Sequence, residues 1–258
     1  VFQPAEEGGG GAKAMVNDNL IKNWDINEIY GLHNLPSLPV GEFAIKSGAL
    51  MAASDFFEIM VEGKGGHAAL PHFSNDTTLA SSAIVLALQQ IVSRRVSALQ
   101  SVVLSVTGLS TDTMAHNVTP DTVRITGTTR FLDEEERQKM PSNIRKTAQA
   151  TADAYGCSAN VRYEFGVSVT DNYVENTEFA VAAAKEVVGA NNIKTDIEPI
   201  MAGEDFSEML SKCPGAFIFL GNGPSASWHN PSYDFNNEAL PFGCSWFANL
   251  AEQRLPLD

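Results

Sequence analysis

The sequence predicts an α/β protein in which one domain is interrupted by an inserted four-stranded module. Two observations support this class: short apolar strands alternate with helices at both ends of the chain, and residues 55–165 follow the order strand, helix, strand, strand, helix, strand. That order is the split βαβ, or ferredoxin-like, arrangement. We therefore expect an α/β domain over residues 1–54 and 166–258, and a complete small module over residues 55–165.

The inserted module is predicted from strand composition and helix caps. Apolar and β-branched runs predict strands at 55–62, 101–107, 121–131 and 159–165. Asp76 or Thr77 can cap a helix that reaches about Arg95. The apolar pattern of this helix places four residues on one face: Leu79, Ala83, Leu86 and Gln90. Asp133 can cap a second helix, although Pro141 interrupts its pattern.

The flanking segments have the pattern of an open α/β sheet. They predict a strand end at residues 1–3, further strands at 28–32, 42–45 and 216–220, and helices at 11–19, 178–188 and 238–254. Because the chain has no initiating Met and opens on a strand end, we expect that an N-terminal part is absent. A sheet truncated in this way would expose an edge and favour association.

The composition argues against several classes of function. Hydrophobic residues make up 44% of the 258 residues and charged residues 19%, which is ordinary for a globular protein. The net charge of −14 disfavours nucleic acid as a partner. No apolar run is long enough to predict a membrane span. Three scattered cysteines fit neither a disulfide framework nor a metal knuckle, and they predict a reducing, cytoplasmic compartment.

Two adjacent carboxylates, Glu6 and Glu7, follow the first predicted strand and precede four glycines. Ligands of open α/β sheets gather at the carboxyl ends of strands, and the glycines allow a loop in which both acids serve one site. One acid would then bind a metal ion and the other would act as a general base. The alternative is a solvated acidic turn.

Two histidines have neighbours that are typical of metal ligands. His33 follows an apolar strand in GLHNLP, and His229 lies in the aromatic-rich loop WHNPSYDF. Imidazoles at such positions are common ligands. The alternatives are a capping or core histidine at position 33 and a packed surface histidine at position 229.

A Gly-rich loop, GKGGHAALPH, presents His67. The loop lacks the Gly-Lys-Ser/Thr ending of a phosphate loop, so we interpret His67 as a donor to a developing oxyanion, with a flexible turn as the alternative. His72 and His116 have no comparable context and are predicted to be structural. The sequence also lacks a Gly-x-Ser-x-Gly elbow, a cysteine nucleophile signature and a dinucleotide fingerprint, which argues against those chemistries.

Seven segments of the sequence are informative when taken together: FQPAEEGGGGA (2–12), GLHNLP (31–36), GKGGHAALPH (63–72), HNVTPD (116–121), GTTRF (127–131), GEDFS (203–207) and HNPSYDFN (229–236). Together they resemble the amidohydrolase branch of the aminoacylase and carboxypeptidase-like dinuclear metallopeptidases, which includes hippurate hydrolases, N-acyl-amino-acid amidohydrolases and auxin-conjugate hydrolases. They occur in the family's order along nearly the whole chain. The resemblance implies a metal-binding α/β domain whose inserted ferredoxin-like lid also forms a homodimer.

The resemblance also implies roles for individual residues. Glu6 would be the general base, and His67 would stabilise the oxyanion in the partner's active site. Asn117 would hold substrate, and Glu204 would be an acid on the substrate side. The metal ligands would be Glu7, His33 and His229. Two divalent ions (Mn, Zn or Co) would support hydrolysis of small N-acyl amino acids or peptide-like substrates.

One departure from the family concerns the metal ligands. The family carries an upstream HxCGHD-like segment whose Cys and His bind metal, and nothing in this sequence matches it. We therefore expect this chain to bind metal weakly or to leave the site empty. The alternative to a metal-dependent amidohydrolase is a catalytically incomplete fragment that acts only as a folded or dimerising module.

Overall fold

The chain forms two compact units in a computed structural model that describes residues 1–8 and 10–255. The first unit contains Val1–Met51, Thr170–Ile200 and the residues from Glu204 onwards, and the second contains Ala52–Val169 and Met201–Gly203. The chain therefore leaves the first unit and returns to it. For comparison, the predicted inserted module covers residues 55–165.

Strands and helices alternate along much of the chain. The strands are β1 (Ile29–Pro36), β2 (Phe43–Ala44), β3 (Gly48–Met51), β4 (Ala53–Glu62), β5 (Gly66–His67), β6 (Val102–Thr111), β7 (Val118–Thr119), β8 (Thr122–Phe131), β9 (Ser158–Val167), β10 (Thr170–Asn172), β11 (Ile193–Lys194) and β12 (Gly215–Gly223). The α-helices are α1 (Gly11–Asn17), α2 (Leu20–Asn23), α3 (Thr77–Arg95), α4 (Glu134–Ala154), α5 (Val174–Val188), α6 (Ser207–Leu210) and α7 (Leu240–Arg254).

The first unit is built on a four-stranded sheet with the strand order β1-β12-β2-β11. β1 and β12 are parallel, with His33 opposite Phe219. Every residue of β12 is buried, as its continuous apolar run predicts. Helices α5 and α7 cover this core, where Nε1–H of Trp246 donates to the carbonyl oxygen of Ala180 at 3.0 Å. Because β1 and β12 are parallel, the loops that follow them lie at the same edge of the sheet.

The second unit contains a four-stranded antiparallel sheet with the order β6-β8-β4-β9, and α3 and α4 pack against it. Along the chain its main elements run β4, α3, β6, β8, α4, β9. Its core combines strand and helix residues that include Phe57, Ile59, Ile84, Leu88, Ile125 and Ile144. A separate two-residue ladder, formed by β5 and β7, pairs His67 with Val118.

The predicted caps of both long helices are confirmed. The side chain of Asp76 accepts hydrogen bonds from the N–H groups of Thr78 and Leu79, at 2.9 and 3.0 Å. Asp133 caps α4 by accepting from N–H of Glu136 at 2.9 Å. α4 continues through Pro141, which has no N–H for the helix ladder, and its buried face packs on the sheet on both sides of this position.

The face of α3 that carries Leu79, Ala83, Leu86 and Gln90 is not the face that packs against the sheet. Leu79 and Leu86 are 55% and 75% exposed, whereas the buried stripe of the helix consists of Ala80, Ile84, Leu88 and Ile91. The helix is apolar on more than one face, so its sequence pattern does not decide which stripe meets the sheet.

The predicted strand end at residues 1–3 is also wrong. These residues are not in a strand, and none of the described residues pairs with them. Phe2 is fully exposed, and Gln3 binds a side chain of another segment through its amide. An apolar dipeptide is too short to specify a strand when no neighbouring strand takes up its hydrogen bonds.

A buried ion pair fixes the start of β4. The Asp55 carboxylate has no exposed surface and accepts hydrogen bonds from Nε and Nη2 of Arg137, from the hydroxyl of Tyr163 and from N–H of Gly166. Arg137 is only 3% exposed and also lies 5.2 Å from the centre of the Phe165 ring. Because both charges are surrounded by protein, loss of either partner would leave an uncompensated buried charge.

In the part of the chain that the structure describes, no helix combines the length and the apolar character that a membrane crossing would require.

We expect Asp55→Ala to lower the free energy of unfolding by about 3–5 kcal/mol, because Arg137 would stay buried without its counter-charge. Urea unfolding followed by circular dichroism measures this loss. Glu134→Ala is the matched control, since Glu134 binds the same guanidinium at 3.1 Å but its side chain is 51% exposed. The control should lose less than about 1 kcal/mol. Equal losses in the two variants would contradict a special role for the buried pair.

Candidate active site

The acidic loop, described for residues 4–8 and 10–11, turns back on itself with the help of Gly8, Gly10 and Gly11. Gly8 and Gly10 have positive φ values of 101° and 64°, which glycine adopts without a Cβ clash. A Cβ on Gly11 would lie 1.7 Å from the carbonyl oxygen of Pro4, so only glycine fits there. These three glycines therefore allow the tight turn that presents the two acids.

Asp205 ties both ends of this loop to another segment of the first unit. Its Oδ1 accepts a hydrogen bond from the side-chain amide of Gln3, and its Oδ2 accepts one from N–H of Ala12 at 3.0 Å. The N–H of Asp205 also acts on the carboxylate of Glu6, whose pKa it lowers in part. Since Asp205 is only 1% exposed, water competes little for these bonds.

Three carboxylates meet beside the loop. Glu6, Glu204 and Asp205 each offer an oxygen that lies within 4.8 Å of the others. Burial raises the pKa of Glu204 to about 7, and the negative charges of Glu6, Asp205 and Glu7 act in the same direction. A hydrogen bond from the N–H of Phe206 partly opposes this rise. Burial and repulsion between the carboxylates therefore disfavour the ionised form of Glu204.

Glu6 is less buried than Glu204, but its environment also raises the pKa of its carboxyl group. Burial, and then repulsion from Glu7 and Asp205, raises the pKa of Glu6 above its usual range. The His33 ring and the N–H of Asp205 lower it in part. A carboxylate with a raised pKa is a better proton acceptor than an ordinary surface glutamate.

His33 lies on β1, where its ring has a defined tautomer. Its Nδ1 is 2.7 Å from the carbonyl oxygen of Asn34. A carbonyl oxygen can only accept, so we assign the ring hydrogen to Nδ1. The Trp228 ring meets the imidazole edge to face, with 5.2 Å between the ring centres. In the neutral ring, Nε2 is then the nitrogen that is free to bind a metal ion.

His229 and Glu7 approach each other from two different loops. The distance between Nδ1 of His229 and Oε2 of Glu7 is 3.8 Å, and both side chains are about three-quarters exposed. His229 has a φ of 59°, in the left-handed region that few non-glycine residues adopt. The two potential ligands are therefore close but not buried.

The predicted residues of the first unit are connected by short distances and by electrostatic interactions. Glu6 has an oxygen within 4.8 Å of one of Glu204 and interacts electrostatically with His33, while Glu7 lies beside His229. Among the described residues, the one compact group of three potential ligand atoms is the carboxylate cluster. The structure thus gathers these side chains without bringing Glu7, His33 and His229 into a closed three-ligand set.

The other two predicted site residues, His67 and Asn117, lie in the second unit and are neighbours there. N–H of Ala68 donates to the carbonyl oxygen of Asn117 at 3.0 Å, and both predicted residues are exposed. N–H of Ala69 donates to Nδ1 of His67 at 3.1 Å. Because Nδ1 accepts, the neutral ring carries its hydrogen on Nε2, which can donate to a ligand.

Sequence reasoning missed three side chains that organise the site. Asp205 anchors the acidic loop, and Asn34 and Trp228 border His33. Each is adjacent in sequence to a residue that was singled out, in GEDFS, GLHNLP and WHNPSYDF. Their hydrogen-bonding side chains next to a candidate residue were the signal that could have identified them. Their bonding partners could not be predicted, because tertiary contacts determine them.

The chemistry of these side chains fits a divalent metal ion. Glu7 offers carboxylate oxygens, and His33 and His229 offer imidazole nitrogens, a mixed set that Zn, Mn and Co accept. The tautomer of His33 leaves Nε2 available, as metal binding requires. The neighbouring carboxylates add an attraction for any cation.

Comparison with known proteins shows the family to which this chain is related. It matches peptidase family M20/M25/M40 over residues 1–253. N-acetylcysteine deacetylase from Bacillus subtilis is 36% identical over 252 residues, which are 97% of this chain and 64% of the relative. Hippurate hydrolase from Campylobacter jejuni subsp. jejuni is 38% identical over 250 residues, covering 97% of this chain and 65% of the relative.

A similar solved structure comes from Bacillus subtilis and is described as a dinuclear metal binding peptidase of the M20 family. It has a TM-score of 0.82 and 31% identity, and the match covers 98% of this chain and 64% of that chain. This chain thus spans just under two thirds of the length of these relatives. The family match includes every motif segment named above and extends through both units. The chain belongs to peptidase family M20/M25/M40, in its amidohydrolase branch.

Proposed function

We propose that this protein hydrolyses the amide bond of N-acyl amino acids or similar small amides in a metal-dependent reaction. The observation that carries this proposal is that Glu6 interacts electrostatically with Glu7 and His33, while Glu7 lies 3.8 Å from His229. It supplies a carboxylate base beside candidate metal ligands, as amide hydrolysis by a metalloenzyme requires. The names of the deacetylase and the hippurate hydrolase support the substrate class.

Glu7, His33 and His229 would hold the metal, and the dinuclear relative supports a pair of ions. Bound divalent ions polarise a carbonyl and lower the pKa of bound water. The residues of the chain prepare the site in two ways. His33 presents Nε2 from a strand, whereas Glu7 and His229 lie on exposed loops where their side chains can adjust.

Glu6 would take the proton from the attacking water and later deliver a proton to the leaving amine nitrogen. The raised pKa of Glu6 suits both steps, because the carboxylate must accept a proton and then release it. The N–H of Asp205 would hold the carboxylate in place during the transfer. Glu204 would face the substrate as a second acid.

His67 and Asn117 would act on the substrate from the second unit. Nε2–H of His67 would donate to the oxyanion, a type of contact whose removal costs about 2.7–4 kcal/mol of transition-state stabilisation. Asn117 would hold the substrate. We place the contribution of His67 in the active site of a partner subunit, which makes a homodimer part of the proposal.

Two features of the second unit support its role as a dimerisation module. β6 is at the edge of its sheet and contains no charged residue or proline that would discourage pairing. Exposed apolar side chains lie on this strand and on α3: Val103, Leu109, Leu79 and Leu86. A second copy that pairs along β6 would cover this surface.

A second candidate function is a folded or dimerising module without catalysis. It is favoured by one observation, namely that the compact group of three potential ligand atoms in the described residues contains carboxylates only. Calorimetric titration with Zn²⁺ or Mn²⁺ separates the candidates. Binding of two ions per chain at submicromolar concentration supports the hydrolase, and weak or undetectable binding supports the module.

We expect Glu6→Gln to lower kcat for N-acetyl and N-benzoyl amino acids by about 10²–10⁴-fold, because the amide cannot accept the proton. The number of metal ions bound per chain should not change. Glu252→Gln, at an exposed position on α7, is the control and should keep full activity. Activity that survives in Glu6→Gln would show that another residue is the base.

We expect Glu204→Gln to stabilise the metal-free protein at pH 8 but hardly at pH 5. The pKa of Glu204 is raised by burial from 4.5 to about 7 in the folded state, so its contribution to stability is present below pH 4.5 and is lost as the pH rises through 7. The gain at pH 8 should be on the order of 3 kcal/mol. Urea unfolding in the presence of a chelator measures it, with Glu252→Gln as the control. A gain that does not depend on pH would contradict this explanation.

Sedimentation velocity of the whole chain should show a dimer. Leu109→Lys on β6 should convert it to a monomer, because a charge on the edge strand opposes pairing with a second copy. Leu240→Lys is the control, since Leu240 is 51% exposed and lies in the first unit. A monomeric wild-type chain would count against the proposed homodimer.

A further inference from the structure

Asn34 makes two sets of hydrogen bonds that the proposed reaction does not use. Its carbonyl oxygen accepts from Nδ1 of His33 at 2.7 Å and from Nε1 of Trp228 at 3.1 Å. Its side-chain Oδ1 accepts from the hydroxyl of Tyr233 at 2.7 Å and also from Nε1 of Trp228 at 3.4 Å. One residue of β1 is therefore bonded both to its neighbour on the strand and to a loop that is distant in the sequence.

That loop, residues 224–236, follows β12 and carries His229. Its base is held by Asn222, which donates to the carbonyl oxygen of Asp234 at 3.0 Å and accepts from N–H of Asn236 at 2.9 Å. Asn222 holds the two ends of the loop together, but it does not hold the middle, where the candidate ligand lies.

The middle of the loop is joined to β1 through Asn34. The two residues that bond to Asn34, Trp228 and Tyr233, lie on either side of His229 in the sequence. His229 itself is exposed and has a φ of 59°. Its position relative to His33 therefore depends on how the loop is attached to the strand.

We propose that Asn34 is a positioning residue that fixes the His229 loop against β1 and so sets the spacing of the two histidine ligands. The proposal rests on the proposed function, because it treats His33 and His229 as ligands of one metal centre. Asn34 does not contact the metal ion in this account. It acts through Trp228 and Tyr233 on one side and through the His33 ring on the other.

The two functions of Asn34 are carried by different atoms, which makes them separable. The peptide carbonyl fixes the His33 tautomer and is present whatever the side chain. The side-chain oxygen accepts from the Tyr233 hydroxyl and, at 3.4 Å, from Nε1 of Trp228, and it is lost in Asn34→Ala but kept in Asn34→Asp. Tyr233→Phe removes only the shorter of these two bonds, from the loop side and without changing β1.

The test combines Zn²⁺ calorimetry with two measurements on the metal-free protein. Asn34→Ala and Tyr233→Phe should each weaken Zn²⁺ binding by about 10–100-fold, the usual effect of losing a group that orients a ligand. Both should speed amide hydrogen exchange in residues 224–236. Nitrogen NMR of His33 should still report hydrogen on Nδ1. Asn34→Asp should recover slow exchange in the loop, and the double variant of Asn34→Ala with Tyr233→Phe should be no worse than Asn34→Ala alone.

Asn192→Ala is the matched control, since Asn192 is exposed and bonds only locally, to the carbonyl oxygen of Val188 at 2.7 Å among the contacts described. It should behave as wild type in every measurement. Wild-type Zn²⁺ affinity in both Asn34→Ala and Tyr233→Phe would overturn the inference, as would unchanged loop exchange in both. If the wild-type protein binds no Zn²⁺, the proposed function fails, and loop exchange in the metal-free variants alone decides whether Asn34 fixes the loop.

Discussion

The hydrogen bonds of the Asp205 carboxylate are the contacts on which the acidic side of the site depends. They join Gln3 and Ala12, one on each side of the glycine loop, while the N–H of the same residue favours the ionised form of Glu6. A loop rich in glycine loses more conformational entropy on ordering than other loops. Its position must therefore come from contacts outside the loop, and a buried carboxylate supplies two of them from 193 or more residues away in the sequence.

The electrostatic consequence is that the ionised carboxylates of the site lower the stability of the fold. Anchoring the loop brings Glu6 within reach of Glu204 and Asp205, and burial together with mutual repulsion raises the pKa of Glu6 and Glu204. The same crowding that destabilises the ionised protein would attract a cation and would make Glu6 a stronger base. Electrostatic destabilisation of this kind is common where a fold holds functional groups in place.

Local signals in the sequence predict where helices begin better than they predict which side chains are buried or which distant residues they contact. The caps Asp76 and Asp133 locate the starts of α3 and α4, because capping depends on the neighbouring backbone alone. The exposed face of α3 and the partners of Asp205 could not be predicted in the same way. The packing of distant segments decides which apolar stripe of α3 is buried. It also decides that Asp205 bonds to Ala12, which lies 193 residues away in the sequence. His33 was found from its own motif, but its tautomer required the position of the Asn34 carbonyl.

The candidate ligands differ in how firmly the fold holds them, and this difference has a physical reason. His33 belongs to a strand that is paired along its length with β12, and its Nδ1 is engaged by a carbonyl oxygen. Glu7 and His229 lie on exposed loops 3.8 Å apart. A ligand on a strand loses little freedom when it binds an ion, whereas loop ligands must be ordered at that moment. Contacts that order the loops beforehand, such as those of Asp205 and Asn34, therefore reduce the entropic cost of binding without touching the ion.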